Sequence, residues 1–372
     1  MTVEQERTQP HIHARVRAEI PGSPYDILVG RDLAGALGEL VMELADTENV
    51  FVVTQASLRD RAAEFASSSR LSNSRLVVID DGESAKSLES VQRLYEELAS
   101  AGAHRHDVVV AFGGGVVTDV AGFVASTFNR GMILVNVPTT LLGQVDAAIG
   151  GKTGINLAEG KNLVGTIYQP ATVLCDIGLL ETLPPEEIAS GLAEVVKYGF
   201  ISDPSLLDVV EERSEELKAA KNQDLLADVV TRCASIKARV VAEDEKDSGV
   251  RAHLNYGHTF AHAIERTTGY GDIRHGEAVA IGMTAAACLA AELGMLDESI
   301  VDRHRNVLAA AGLPVAASLD LDELEGAWRH DKKYRGGVRF VLLEKTADGV
   351  APVAGIEAPR EKLKTALERL AQ

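Results

Sequence analysis

The chain has 372 residues, of which 46% are hydrophobic and 25% charged, a composition typical of globular proteins and a length that suits two domains. Its formal net charge of −18 argues against nucleic acid or an anionic membrane as a partner. Cys175, Cys233 and Cys288 lie far apart, which excludes a disulfide framework and a cysteine zinc site. From the polar first ten residues we expect no signal peptide, and the apolar stretch 278–293 is too short to span a bilayer. We therefore expect a cytoplasmic protein.

The first half of the sequence alternates short β-rich runs with helical segments such as 88–100 and 116–126. An initial hairpin is predicted from 13–20 and 25–29, around a Pro-Gly-Ser-Pro turn. The later runs are typical of buried parallel strands, and they are 50–54, 76–79, 108–112, 133–137 and 172–175. This alternation predicts an α/β domain over residues 1–180 with a Rossmann-like, doubly wound sheet.

The second half of the sequence has a mainly helical pattern. Prolines and acidic residues at 182–187 mark a helix start, and Gly312 and Pro314 mark a stop. The predicted helices are 186–199, 205–219, 223–242, 257–267, 276–294 and 298–311. A short hairpin, 338–344 with 350–355, and a final amphipathic helix complete the chain. We expect an all-α second domain over 181–372 and an active site in the cleft between the two domains.

A glycine-rich turn follows the predicted strand 108–112. Three glycines at 113–115 lead directly into a helix. Glycines let the backbone approach a phosphate, and a helix N-terminus offers N–H groups and a positive dipole end. The turn is consistent with the pyrophosphate of a dinucleotide, although it lacks the GxGxxG pattern and a plain tight turn would look similar. Glu83 and the pair Thr139 and Thr140 follow other strands at the carboxyl edge, where such sheets bind ligands.

Three segments of the helical half carry polar groups in apolar surroundings. Glu194 and Lys197 lie three residues apart on one helix face, and His258 and His262 lie four apart on another. His275 precedes a long alanine-rich helix. Burying an unpaired charge is costly, so these groups need partners. They could supply two nitrogens and one oxygen to a divalent cation, the ligand set of many catalytic zinc sites, although single helix histidines are usually structural.

Taken together, the motifs resemble those of the 3-dehydroquinate synthase family over nearly the whole chain. The resemblance rests on the order and spacing of seven stretches, 112–123, 137–142, 146–156, 160–165, 191–199, 254–265 and 275–283. It implies a reaction in which a bound NAD transiently oxidises a sugar phosphate that carries a carboxylate. Phosphate elimination, re-reduction, ring opening and aldol closure then give 3-dehydroquinate.

The resemblance also assigns the site residues. It implies that Glu194, His258 and His275 bind Zn²⁺ or Co²⁺, and that His262 contacts substrate instead. The implied NAD contacts are Asp81, Glu83, Lys86, Gly114, Gly115, Val116, Val117, Asp119, Thr139, Thr140, Lys152, Lys161, Leu179 and Thr182. The implied substrate residues are Arg130, Asp146, Lys152, Asn162, Lys197, Lys237, Arg251, Asn255, His262 and Lys332, with Lys333 as the alternative to Lys332. Arg and Lys suit a substrate that carries a carboxylate and a phosphate.

Three other functions are compatible with part of this pattern. Sister sugar-phosphate cyclases, such as 2-deoxy-scyllo-inosose synthase or aminodehydroquinate synthase, would use similar chemistry. Metal-dependent polyol dehydrogenases share the architecture but release NADH. Their neutral alcohol substrates do not require a phosphate-binding group, so Lys152 and the pair Glu194 and Lys197 argue against this function. A non-catalytic binding module would not need both a nicotinamide site and an open metal site. The family resemblance further suggests a homodimer in which Arg130 reaches the neighbouring subunit's site.

Overall fold

The computed structural model describes residues 10–44, 49–69, 71, 73–269, 273–329 and 337–372. The strands are β1 (His11–Ala18), β2 (Tyr25–Arg31), β3 (Asn49–Gln55), β4 (Asn73–Ile79), β5 (Val108–Gly113), β6 (Ile133–Pro138), β7 (Lys152–Leu157), β8 (Gly160–Ile167), β9 (Thr172–Asp176), β10 (Phe340–Thr346) and β11 (Gly349–Ile356). The helices are α1 (Ala34–Leu44), α2 (Arg59–Ser68), α3 (Leu88–Ser100), α4 (Gly115–Thr127), α5 (Pro185–Ile201), α6 (Ser205–Lys218), α7 (Gln223–Glu243), α8 (His258–Thr267), α9 (His275–Glu292), α10 (Glu298–Ala310), α11 (Leu321–Trp328) and α12 (Arg360–Leu370).

Within the described residues, seven strands form one sheet in the order β1-β2-β9-β6-β5-β3-β4. Strands β1 and β2 pair antiparallel, and the neighbours from β2 to β4 pair parallel. The predicted α/β class and the opening hairpin are therefore confirmed. Because the strands run parallel, β5 and β6 end at the same edge, and this places the glycine turn beside Thr139 and Thr140.

Both faces of the sheet are covered by apolar side chains. On β5, Val109 and Ala111 pack into a cluster with α3 and α4. Val110 and Phe112 point the other way, into a cluster with α1 and α2. This alternation explains why every residue of β5 is buried. Because β5 is apolar on both faces, it lies in the middle of the unit. Its glycine-rich end lies at the edge of the sheet.

The chain divides into two compact units. The first takes the chain up to Leu183 together with Gln223–Ala242, and the second takes Pro184–Asn222 and the chain from Glu243 onward. Most of α7 therefore groups with the sheet. The domain boundary predicted at residue 180 places this helix in the helical domain instead. This grouping matters for the site because α7 carries Lys237.

The second unit is built around α9, which contacts α5, α8, α10 and α12. This helix is rich in alanine and buried along most of its length. Small side chains allow neighbouring helices to approach closely, so α5 and α8 can present polar groups toward the start of α9. Among the helices that the structure describes, none is long and apolar enough to cross a membrane.

Two short hairpins lie outside the main sheet. Strands β10 and β11 pair antiparallel where the sequence predicts a hairpin. Strand β10 begins and ends two residues later than predicted, and β11 is one residue longer at each end. Strands β7 and β8 also pair antiparallel, within a segment for which the sequence pattern predicts no strand. Glycines at 154, 160 and 165 interrupt the alternation of that segment, which explains why the pattern did not predict strands.

Candidate active site

Glu194, His258 and His275 come together in the second unit, from the middle of α5 and the first residues of α8 and α9. Their ligand atoms all lie within 4.8 Å of one another. The Oε1 atom of Glu194 is 3.5 Å from Nε2 of His258 and 3.6 Å from Nε2 of His275. The carboxylate of Glu194 is buried, with 1% of the side chain exposed. Two nitrogens and one oxygen thus converge on one point, as the resemblance implies.

These distances fit a divalent cation. Zinc binds imidazole nitrogen and carboxylate oxygen at about 2.0–2.2 Å in tetrahedral geometry, which separates neighbouring ligand atoms by roughly 3.4 Å. The two measured separations lie close to that value. Three protein ligands leave a fourth position for an exogenous oxygen, the arrangement of catalytic sites. The same donor set suits Co²⁺, so the residues do not choose between the two metals.

Two glycines bring the ligands together. Gly257 has φ +79° and precedes α8, and a Cβ atom on it would lie 2.9 Å from the backbone nitrogen of Met283 on α9. Gly276 follows His275, and a Cβ atom there would lie 2.3 Å from the carbonyl oxygen of Ser190 on α5. Any side chain would force these helices apart. The close contacts therefore place His258 and His275 beside Glu194.

A second layer of groups orients the two imidazoles. Nδ1 of His258 lies 3.1 Å from the carbonyl oxygen of Tyr256, which can only accept, so Nδ1 carries the proton and Nε2 is bare toward the metal. Nδ1 of His275 lies 3.4 Å from Oε1 of Glu265, a carboxylate with 8% of its side chain exposed. Such partners fix the tautomer and raise the basicity of metal-binding histidines.

The two histidines differ in charge preference. Burial, together with the nearby Lys197 ammonium, lowers the pKa of His258 to about 3, so it is neutral and ready to bind a cation. Burial also opposes protonation of His275, but its contacts with Glu194 and Glu265 prevail and raise its pKa to about 9. Metal binding would therefore displace a proton from His275.

Lys197 is buried one turn along α5, with 1% of its side chain exposed, and its ammonium forms an ion pair with the second oxygen of Glu194. The carboxylate of Glu194 thus faces the imidazoles with one oxygen and the ammonium with the other. In water such a pair would contribute little, but in a buried site each charge depends on its partner.

In the first unit, the glycine turn has the shape of a phosphate cradle. Gly114 precedes α4, and a Cβ atom on it would lie 3.2 Å from the methyl group of Thr140. The first N–H groups of a helix lack intrahelical acceptors, so the opening turn of α4, with Gly115, Val116 and Val117, can bind an anion. Side chains at Gly114 would fill this cradle. The residues therefore fit a dinucleotide pyrophosphate.

A charged cluster lies beside the cradle. The ammonium of Lys86 is 2.6 Å from a carboxylate oxygen of Asp119 and 3.7 Å from Oε1 of Glu83. Lys86 is buried, which opposes its charge, but the carboxylates of Asp119 and Glu83 prevail and raise its pKa. Glu83 stays largely exposed, with 41% of its side chain accessible, and can accept from a ribose hydroxyl.

Other predicted NAD residues serve turns at the same edge of the sheet. Asp81 accepts hydrogen bonds from the backbone N–H and hydroxyl of Ser57. The backbone N–H of Thr139 donates to the carbonyl of Gly113, at 3.0 Å. Arg61 donates to the carbonyl of Leu179 and to the hydroxyl of Thr182, and so holds the last predicted turn. Arg61 was not predicted from the sequence.

The predicted substrate residues of the first unit lie in three places. Asp146 lies in a π-helical turn, Gly143–Ala147, a feature frequent at functional sites, and its carboxylate is 2.9 Å from the ammonium of the buried Lys237 on α7. Lys152 and Asn162 belong to the β7–β8 hairpin, which also carries Lys161, a predicted NAD contact. Arg130 ends a short 3₁₀ helix, is exposed, and adopts φ +63°.

Of the other predicted substrate residues of the second unit, His262 lies beside a metal ligand, and Arg251 and Asn255 bond to backbone carbonyls. The ring of His262 is 5.6 Å from that of His258, centroid to centroid, and His262 does not belong to the three-residue donor cluster. Arg251 is 2% exposed and donates to the carbonyl of Glu245 at 2.6 Å. Asn255 donates to the carbonyl of Ala252. Lys332 and Lys333 lie outside the described residues.

Comparisons with known proteins point to one family. Residues 76–190 match the profile of the N-terminal part of 3-dehydroquinate synthase, and residues 191–334 match that of its C-terminal part. A 3-dehydroquinate synthase from Saccharopolyspora erythraea is 47% identical over 94% of this chain and 92% of its own length. One from Mycobacterium leprae is 45% identical over 90% of this chain and 92% of its own length.

Solved structures give the same fold. A 2-epi-5-epi-valiolone synthase from Streptomyces hygroscopicus, with NAD⁺ and Zn²⁺ bound, superposes with a TM-score of 0.84 at 29% identity, covering 93% of this chain and 96% of that one. A 2-deoxy-scyllo-inosose synthase with carbaglucose-6-phosphate, NAD⁺ and Co²⁺ gives 0.83 at 27%, covering 96% and 100%. A probable glycerol dehydrogenase from Sinorhizobium meliloti, at 16% identity and a TM-score of 0.61, shares the fold alone.

Proposed function

This chain belongs to the 3-dehydroquinate synthase family, and we propose that it converts 3-deoxy-D-arabino-heptulosonate 7-phosphate to 3-dehydroquinate and phosphate. It is then a carbon–oxygen lyase of aromatic amino-acid biosynthesis. The observation that carries the proposal is the buried donor set of Glu194, His258 and His275, in a chain whose other unit carries a phosphate cradle. Sister cyclases match at 27–29% identity, well below the 45–47% of the two 3-dehydroquinate synthases compared above.

Two groups that the protein binds supply the reactive chemistry. When bound, NAD would supply reversible hydride transfer, and a divalent metal would supply Lewis-acid polarisation of a substrate oxygen. We propose that the α4 turn, Glu83 and Asp119 hold NAD, and that Glu194 and the two imidazoles hold the metal. Because the hydride returns, the atoms balance without net oxidation.

The protein's own residues bind and orient the substrate. Arg251 is proposed to grip an anionic group, since guanidinium forms paired hydrogen bonds with carboxylate and phosphate. Lys197 and Lys237 are buried ammonium groups, each beside a carboxylate, and can pair with further substrate oxygens. Lys152 and Asn162 lie on the β7–β8 hairpin and are proposed to contact substrate, with Lys161 toward NAD. Positioning and charge neutralisation are thus the main tasks of these side chains.

We further propose a homodimer. Arg130 is exposed and held by a left-handed backbone at the end of a short helix, a conformation that costs energy for a residue other than glycine. Such a residue is suited to contact a neighbouring subunit's substrate. Sedimentation of the purified protein tests the oligomeric state. Mixing an inactive Arg130→Ala protein with an inactive Lys197→Met protein should restore partial activity if Arg130 acts across the interface.

The reaction itself is tested with metal-loaded protein, NAD⁺ and 3-deoxy-D-arabino-heptulosonate 7-phosphate. We expect phosphate and 3-dehydroquinate to form one for one, with no accumulation of NADH. A Lys237→Met variant should lose activity, whereas Lys345→Met, which removes an exposed lysine paired with Asp297, should retain it. Net NADH from a simple polyol would identify a dehydrogenase, and turnover only of an amino analogue or of glucose 6-phosphate would identify a sister cyclase.

A further inference from the structure

Asn156 joins three parts of the first unit through its own amide groups. Its side-chain nitrogen donates to Oε1 of Glu83 at 2.8 Å. Its side-chain oxygen accepts from the backbone N–H of Asn162 at 2.9 Å. Its backbone N–H donates to the carbonyl of Lys86, also at 2.8 Å. The residue thus connects the hairpin β7–β8 with the segment that carries Glu83 and Lys86.

The partners determine how the side chain of Asn156 is oriented. A backbone N–H can only donate and a carboxylate can only accept, so the amide oxygen faces Asn162 and the amide nitrogen faces Glu83. The register between β7 and β8 shifts between Ile155 and Leu157. Such irregularities re-aim a side chain out of the regular alternation and are frequent beside active sites. The shift therefore frees Asn156 to reach both partners.

Both partners of Asn156 have proposed roles in binding. Glu83 is proposed to hold the adenosine ribose, and the Lys86 ammonium beside it pairs with Asp119. Asn162 is proposed to contact substrate, and its backbone has φ +53°, in the left-handed region. Asparagine tolerates that region better than most residues, but it needs local hydrogen bonds to remain there. The bond to Asn156 supplies one.

We propose that Asn156 is a positioning residue that fixes Glu83 for NAD and Asn162 for substrate at the same time. This inference rests on the proposed function, because the binding roles of Glu83 and Asn162 belong to it. Asn156 acts through its two neighbours and touches neither ligand. Loss of its side chain should weaken NAD binding and substrate binding together, whereas loss of Glu83 alone should weaken only NAD binding.

A double-mutant cycle tests the bond to Glu83. In metal-loaded protein without substrate, Asn156→Asp places a carboxylate against Glu83 and should weaken NAD⁺ binding about tenfold by calorimetry. In a Glu83→Gln background, the same change re-forms the hydrogen bond with donor and acceptor exchanged. In that background, Asn156→Asp should lower the NAD⁺ affinity by about twofold or less relative to Glu83→Gln alone. Equal losses in both backgrounds would overturn the proposal.

Steady-state kinetics test the bond to Asn162. Asn156→Ala should raise the substrate KM and the NAD⁺ Kd about tenfold each with a smaller change in kcat. The matched control is Asn49→Ala, because Asn49 also donates to a carboxylate, Asp107, but at the amino end of β3. An unchanged substrate KM in Asn156→Ala would refute the bridging role. If the double-mutant cycle shows coupling to Glu83, but wild-type protein binds NAD⁺ and forms no 3-dehydroquinate, the proposed function alone is refuted.

Discussion

Replacing Glu194 by glutamine tests the metal centre most directly. The change keeps the shape of the side chain and removes its negative charge. Oε1 of Glu194 faces Nε2 of both His258 and His275, and the other oxygen pairs with Lys197. Glutamine can supply only one weak oxygen ligand, and it cannot neutralise the ammonium. The substitution should therefore reduce metal affinity and also destabilise the fold.

The two effects have different expected sizes. Losing a partner of a metal-binding histidine costs about 10–100-fold in affinity, so losing a ligand should cost more than roughly 100-fold. Breaking a buried ion pair by removing one partner costs about 3–5 kcal/mol. Both Glu194 and Lys197 are 1% exposed, which places their pair in that class. We expect Glu194→Gln to be inactive, free of zinc after dialysis, and less stable in urea.

A second variant separates metal loss from instability. Glu194→Gln combined with Lys197→Met removes both charges, and replacing a buried pair by uncharged groups is often neutral in stability. The double variant should recover most of the lost unfolding free energy and still bind no zinc. Zinc content by mass spectrometry, chelator competition and urea denaturation measure these quantities. Stoichiometric zinc with full activity in Glu194→Gln would refute the ligand assignment.

Three further predictions follow from buried side chains of the second unit. Arg251→Ala should raise the substrate KM by about tenfold or more and leave the KM for NAD unchanged, since charged hydrogen bonds to substrate are lost. Glu265→Gln should weaken zinc binding about 10–100-fold by removing the carboxylate beside His275. Burial lowers the pKa of His304 to about 4 from about 6.5, so folding stability present above pH 6.5 is lost as the pH falls through 4, by about 3 kcal/mol. His304→Phe with Tyr256→Phe should flatten that loss in urea titrations.

Each of these predictions has a control and an opposing outcome. Arg303→Ala removes an arginine that pairs with surface carboxylates and should not alter either KM; an equal rise in both constants for Arg251→Ala would argue against a substrate contact. Glu277→Gln serves as the control for Glu265→Gln, and unchanged zinc affinity in the latter would exclude an orienting role. The double phenylalanine variant removes both partners of a buried 2.8 Å hydrogen bond, and an undiminished pH dependence would assign the acid sensitivity to other groups.

The fold was predictable because its main signals are local. Strand β5 is apolar at every position and is followed at once by three glycines, so both its burial and its end were readable. Prolines and acids marked the start of α5. The hairpin β7–β8 was not predicted, since Gly154, Gly160 and Gly165 interrupt the β-branched residues that usually identify strands. Its backbone pairing is visible only in three dimensions.

The candidate site was predictable in composition but not in geometry. The spacing of His258 and His262 left both as possible ligands, and only the resemblance favoured His275 over His262. The structure brings His275 to Glu194 because Gly276 packs against Ser190, a contact between helices that are about 85 residues apart in sequence. Likewise, no local sequence pattern marks Asn156 as a positioning residue, because its proposed role depends on contacts with Glu83 and Asn162. Partners set by tertiary contacts do not appear in sequence periodicity.

On the proposed assignment of substrate residues, the buried cations explain how an acidic protein can bind an acidic substrate. Lys197, Lys237 and Arg251 each already contact an oxygen of the protein, from Glu194, Asp146 and Glu245 respectively. The carboxylate beside each lysine balances the charge of the ammonium, which lowers the free-energy cost of burying that charge. A divalent cation on Glu194 would compete with Lys197 for that carboxylate. The ammonium of Lys197 would then pair less strongly with Glu194 and could pair with another anion. On the proposed assignment, metal binding therefore prepares Lys197 for the anionic substrate, and substrate should bind more tightly to the metal-loaded protein than to the metal-free protein.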